Sequence, residues 1–89
     1  QGLRVVLAEP TGRVGGLLSN GISHTDFRTY ESLTGLYLEF CGRILAYYRE
    51  KYGHSEDWDA VTMRGTHAEP HVNELIFEKM LAEAGVQVL

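Results

Sequence analysis

The 89-residue sequence contains one cysteine, Cys41. That excludes an internal disulfide, so nothing in it implies an oxidising compartment. Basic residues are scarce as well: 8 Lys and Arg stand against 12 Asp and Glu, the formal net charge is -4, and no Lys/Arg cluster interrupts the chain. A non-specific nucleic-acid binder usually presents a basic face, so this balance argues against that class. Long apolar runs are also missing. The longest near the start is Leu3 followed, after Arg4, by Val5 to Ala8. That is far below the roughly 20 residues of a membrane-spanning helix, and it lacks the flanks of a signal peptide. No nucleic-acid or membrane partner is expected. With 44% hydrophobic and 22% charged residues, the chain has the composition of a folding domain and not of a disordered tract. Its length allows one small domain at most. A chain this small can supply one wall of a long ligand cleft and little more.

Leu3 to Ala8 is nearly continuous in apolar, β-branched-rich residues, which predicts a strand of a parallel sheet covered on both faces. Gly2 directly before it suits the end of a preceding helix, so the sequence is expected to open in mid-domain. Glu9 ends the strand, and Pro10-Thr11-Gly12 turns the chain. Gly15, Gly16 and Gly21 then punctuate a long irregular stretch over 10–32, and long loops in small domains are usually functional. Leu33, Leu36, Tyr37, Phe40, Ile44, Tyr47 and Tyr48 follow one face of an amphipathic helix from Leu33 to Lys51. Gly53 stops it, Gly35 weakens its first turn, and Glu39 with Arg43 forms an i,i+4 pair. Residues 54–69 read as polar and irregular, with Trp58 among Glu56, Asp57 and Asp59 and a short strand at Ala60 to Met63. Pro70 fits the first turn of a second helix over His71 to Ala84, with Gly85 as its cap. Val72, Ile76 and Met80 form one apolar row of that helix, and Phe77, Leu81 and Ala84 another. Val86 to Leu89 opens a strand. The order of strand, long Gly-rich loop, helix, loop, helix and strand is an α/β signature, with segments 1–32, 33–70 and 71–89.

An acidic residue at the end of a buried strand is the first constellation that carries chemistry. In a dinucleotide-binding βαβ unit that carboxylate accepts hydrogen bonds from ribose hydroxyls, and Glu9 has the position. The plain alternative is a solvated Glu. The usual partner, a G-x-G-x-x-G loop about 20 residues earlier, would fall before residue 1. Gly15-Gly16 is the second constellation. Paired glycines let a backbone approach a ligand closely and turn its N–H groups to phosphate, although alone they describe any tight turn.

Together, Glu9-Pro10-Thr11-Gly12-Arg13-Val14-Gly15-Gly16 after a strand resembles the stretch in two-dinucleotide-binding-domain flavoproteins where a strand-terminal Glu precedes a basic residue and a Gly-Gly pair. The wider run from Gly15 to Asp26, and Glu69-Pro70-His71-Val72 with the helix into Gly85-Val86-Gln87-Val88-Leu89, resembles one branch of that superfamily, the FAD-dependent oxidoreductases. The resemblance implies FAD as cofactor and a partial Rossmann-like FAD/NAD(P)-binding domain. It further implies that Glu9 binds the adenosine ribose, that Gly15 and Gly16 lie along the FAD, and that Arg13 faces phosphate or adenine. Ser19, Asn20 and Gly21 match the segment that passes toward the isoalloxazine. The remainder of the same chain and an unidentified small-molecule substrate are the implied partners, and the fragment alone is expected to be inactive.

Several residues remain outside this pattern. His24 and Asp26 form a candidate acid/base pair, since imidazole transfers protons near neutral pH; a local hydrogen bond of a loop histidine is the plainer reading. His67, Glu69 and His71 resemble a metal cluster, but Pro70 breaks the spacing and no H-E-x-x-H or Cys pattern supports a site. Cys41 reads as core and not as a nucleophile. Trp58 reads either as a lid or partner contact or as a partly buried aromatic. Two other functions stay open: an NAD-binding Rossmann fragment without flavin, and a small non-catalytic α/β interaction domain.

Overall fold

A short parallel strand pair brackets three helices in the computed structural model, which describes residues 2–89. The order is β1 (Val6–Leu7), α1 (Leu36–Tyr52), α2 (Trp58–Val61), α3 (Pro70–Glu83) and β2 (Gln87–Val88), with 3-10 turns at Gly16–Leu18 and Tyr30–Ser32 between β1 and α1. The α/β class anticipated from the pattern is therefore present. Among the described residues no helix is long and apolar enough to cross a membrane.

The strands pair in parallel with Val6 opposite Gln87 and Leu7 opposite Val88. The ladder is shorter than the predicted strand from Leu3 to Ala8, because β2 offers few groups to pair with. Gln87 N donates to Val5 O at 3.0 Å and Leu89 N to Leu7 O at 2.8 Å, and a longer bond of 3.4 Å runs from Glu9 N to Leu89 O. Nor is β1 covered on both faces: Leu3, Val5, Val6 and Leu7 all remain exposed.

Helix α1 begins at Leu36 and not at Leu33. Gly35 is its N-cap, with φ 62° and ψ −138°, so the residue expected to weaken the first turn lies just outside it. Gly53 closes the helix as predicted, its N–H bonded to Arg49 O at 2.8 Å. The strand predicted at Ala60 to Met63 does not form. Asp57 caps a helical turn there by accepting from Ala60 N, and Thr62 Oγ1 returns to Trp58 O at 2.6 Å. Two side chains that bind nearby backbone thereby decide between helix and strand in a run too short for periodicity to do so. The chain then takes three successive left-handed residues, Met63 at φ 47°, Arg64 at 60° and Gly65 at 88°.

Helix α3 starts at Pro70, which lacks the N–H that a first turn leaves unpaired. At its other end Gly85 N bonds Ala82 O at 3.1 Å and Val86 N bonds Leu81 O at 3.0 Å. These are the two bonds of a Schellman motif, and they turn the chain directly into β2.

The core lies where α1 meets α3. Phe40, Cys41, Ile44 and Tyr48 pack against Ala68, Val72 and Ile76, and the Phe40 and Phe77 rings stack with centroids 4.5 Å apart. Full burial of Ile44 and Val72 stabilises the fold by about 1.5–3 kcal/mol each. Burial also pushes the Cys41 thiol pKa up, as befits a packing residue. At the surface Arg43 bridges Glu39 at 2.8 Å and Glu83 at 2.5 Å, so the predicted i,i+4 pair extends across to α3; exposed pairs of this kind contribute little.

Gly65 is the tightest backbone contact of this core. A Cβ there would lie 2.3 Å from Cys41 O and 2.8 Å from its carbonyl carbon, so α1 would have to move. Gly16, also at positive φ, has open space around the same position. Gly65→Ala is expected to cost about 3 kcal/mol, from the overpacking and the left-handed strain together. Gly16→Ala should show the strain alone, about 1 kcal/mol. Urea unfolding of the two variants checks this; equal losses would mean that α1 yields easily at Cys41.

Candidate functional site

Glu9 follows β1, and its backbone N–H bond to Leu89 sets it at the end of the strand pair. Its side chain is half-buried and anchored on one oxygen: Oε2 accepts from Thr11 N at 3.0 Å and from Thr11 Oγ1 at 2.9 Å. The Thr11 hydroxyl also accepts from Arg13 N at 3.1 Å and lies 2.9 Å from Arg13 O. Its single proton serves either Glu9 or that carbonyl. Thr11 thus fixes the carboxylate and shapes the turn into Arg13, leaving Oε1 without a hydrogen bond among the described residues. A half-exposed carboxylate with one oxygen fixed and one free can still accept a hydrogen bond on the free oxygen.

The glycine pair divides into two different residues. Gly15, at φ 105°, faces α3, where an added Cβ would meet Phe77 Cδ2 at 2.3 Å and Ser19 Oγ at 2.3 Å. Gly16 faces open space. Arg13 and Gly21 are exposed. Ser19 is buried, its Oγ without a hydrogen-bond partner. Asn20 folds back, its Nδ2 donating to Gly16 O at 2.8 Å. Of the seven residues singled out for the cofactor, Glu9, Arg13, Gly16 and Gly21 present themselves outward. The Cβ position of Gly15 is blocked by Phe77 and Ser19, Ser19 is buried, and the exposed Asn20 side chain is tied to its own turn.

The largest groove described nearby is of a different character. That groove, of about 730 Å³ between α1 and α3, is lined chiefly by Leu7, Val14, Phe40, Phe77, Met80 and Val86. It offers few donors for phosphate or sugar, and its rim Arg43 is engaged by Glu39 and Glu83.

His24 is not paired with Asp26. It stacks on His67, with centroids 4.9 Å apart and planes 11° from parallel, at an isolated antiparallel bridge. Backbone bonds from Thr25 N to Thr66 O at 3.1 Å and from Ala68 N to Ser23 O at 3.0 Å flank the stack. The bridge ties the long loop to the segment before α3. His67 Nδ1 lies 2.9 Å from Thr66 Oγ1. Among the described residues no group of three or more His, Cys, Asp or Glu side chains could hold a metal ion. Trp58 is half-buried, stacked on Tyr48 at 5.3 Å and bonded through Nε1 to Gly53 O at 2.8 Å. Tyr48 in turn donates to Glu69 Oε1 at 3.0 Å, and burial pushes its hydroxyl pKa up to about 12.

Asn73, Phe77 and His67 escaped the sequence reading as parts of this region. Asn73 is 2% exposed, and its Nδ2 donates to Leu18 O at 3.0 Å. Its signal was available: a polar residue standing next to Val72 on the apolar side of α3. Phe77 read only as an apolar helix position and His67 only as part of a metal-like cluster, because what they touch lies far away in sequence.

The family model described as FAD dependent oxidoreductase matches residues 1–89, the whole chain. No curated protein and no solved structure matches it.

The stacked histidines generate a pH prediction. Burial, and secondarily His24, push the His67 imidazole below its ordinary pKa of 6.5. As pH falls through 6.5 the unfolded chain takes up this proton before the folded one does, so stability is complete above that pH and declines below it. His67→Phe keeps a ring in the stack and cannot titrate. Melting temperature measured from pH 7.5 to 5.0 should therefore fall less steeply in His67→Phe than in the parent. Parallel curves would remove His67 from the acid response.

Proposed function

The chain belongs to the FAD-dependent oxidoreductase family, and we propose that residues 1–32 form one wall of a Rossmann-like cofactor cleft, with Glu9 as the acceptor for the adenosine ribose. FAD is the family's cofactor, and bound FAD supplies the electron-accepting ring. The contribution of this chain is to bind and orient it. The observation that carries the reading is the Glu9 carboxylate at the end of a parallel strand, held on Oε2 by Thr11 with Oε1 free. Ribose offers adjacent hydroxyl donors, and a carboxylate accepts from both without a proton of its own.

The neighbouring residues take complementary roles in this reading. Gly16, with open space where a side chain would stand, lets the cofactor lie against the backbone. The exposed Arg13 is placed for phosphate or adenine. Ser19, Asn20 and Gly21 continue along the cofactor through their backbone, since the Ser19 side chain is buried and that of Asn20 is engaged by Gly16 O. His24, exposed at the edge of the His67 stack, is the candidate for moving a proton at its imidazole, with His67 in place of Asp26 as its neighbour. The substrate is a small molecule outside what these residues define.

Glu9→Ala in the full-length enzyme tests the reading. Hydrogen bonds to a charged group contribute roughly 1.5–3 kcal/mol each, so FAD affinity should fall by about tenfold or more at 1.4 kcal/mol per decade. Glu9→Gln keeps one acceptor oxygen and should lose less. Melting temperature of the apo-protein should change little, because the carboxylate bonds only the adjacent turn. Unchanged FAD affinity in a folded Glu9→Ala enzyme would overturn the assignment.

A further inference from the structure

The loop carrying the outward-facing Gly16 is held from behind by helix α3 at two points. Asn73 Nδ2 donates to Leu18 O at 3.0 Å, and the Phe77 ring, with Ser19 Oγ, occupies the space a Gly15 side chain would need. Asn73 is 2% exposed beside Val72 at 0% and Ile76 at 3%. A polar side chain in that setting adds little net stability over an apolar one of the same shape, because its amide must leave water to make the bond. A satisfied buried hydrogen bond does rigidify and select one arrangement over near alternatives. The feature that it selects here is the position of Leu18, two residues from Gly16.

We propose that Asn73, with the Phe77 ring behind Gly15, is a positioning residue for the cofactor loop: α3 sets where the Gly16 backbone meets FAD although no atom of Asn73 need touch it. The inference rests on the reading that FAD lies along this loop. Without Asn73 the Leu18 carbonyl has no buried donor, and the turn Gly16–Leu18 is free to shift against the Phe77 ring. FAD binding must then fix a loop that α3 no longer fixes in advance, and affinity falls by the lost preorganisation.

The experiment compares three variants of the full-length holoenzyme. Asn73→Leu keeps the branched shape and removes the donor. Ile76→Val loosens the same helix without touching the loop. Glu9→Ala removes the ribose acceptor. FAD dissociation constant, apo-protein melting temperature and visible circular dichroism of the bound flavin are measured for each. Asn73→Leu should raise the dissociation constant about three- to tenfold and alter the flavin dichroism, whereas Ile76→Val should lower the melting temperature and leave both flavin readouts in place. If Asn73→Leu does not accumulate folded, Asn73→Ser, whose hydroxyl is too short to reach Leu18, replaces it in the same comparison. Affinity that tracks melting temperature equally in the Asn73 and Ile76 variants, with unchanged dichroism, would overturn the proposal and make Asn73 a packing residue. A neutral Asn73→Leu beside a weakened Glu9→Ala would overturn it while leaving the FAD reading intact. Neutral Glu9→Ala and neutral Asn73→Leu together would overturn both.

Discussion

The seam between α1 and α3, which buries Ile44 and Val72 completely, is the constraint on which everything else rests. In a chain this small few side chains can be withdrawn completely from water, and most of the buried apolar ones belong to this seam. The seam fixes where Gly65 passes over Cys41. It also fixes where Phe77 meets Gly15 and, through the end of α3, where Gln87 and Val88 meet β1. The strands contribute little holding power of their own, since their residues stay exposed. Glu9 is placed by a ladder that is itself placed by helices.

This dependence accounts for the pattern of what the sequence disclosed. Helices α1 and α3 were legible because each has enough residues for a 3.6-residue period to emerge, and because Gly53, Pro70 and Gly85 mark ends by local chemistry. The parallel strands were legible as apolar runs, but their burial was not, since cover comes from elsewhere in a fold. Ala60 to Met63 was misread because four residues carry no period, and the decision belonged to the Asp57 and Thr62 side chains. At the site, Glu9 and the glycines stood out by type and spacing. What separates Gly15 from Gly16 is the Phe77 ring, a contact no local pattern contains. The pairing of His24 with His67 is of the same kind: it depends on a bridge between distant segments.

The region around Glu9 is thus built in two tiers. Short-range bonds within Glu9, Thr11 and Arg13 shape the acceptor. Long-range contacts from α3 shape the turn beside it. The first tier survives small shifts of the helices, because it is closed within five residues. The second depends on the two side chains that α3 directs at the loop, Asn73 and Phe77.

The left-handed arc at Met63, Arg64 and Gly65 bears on how far this sequence can drift. Only Gly65 is held to its residue type by a neighbour's backbone. Arg64 has some compensation, with its guanidinium 4.7 Å from the Tyr30 ring centre. Met63 is exposed and belongs to no core cluster, so the strain of its handedness, about 1 kcal/mol, is not offset by core packing. Position 63 is therefore an unspent margin for thermostability. Asparagine or glycine there relieves the backbone, while valine or isoleucine, branched at Cβ, strains it further.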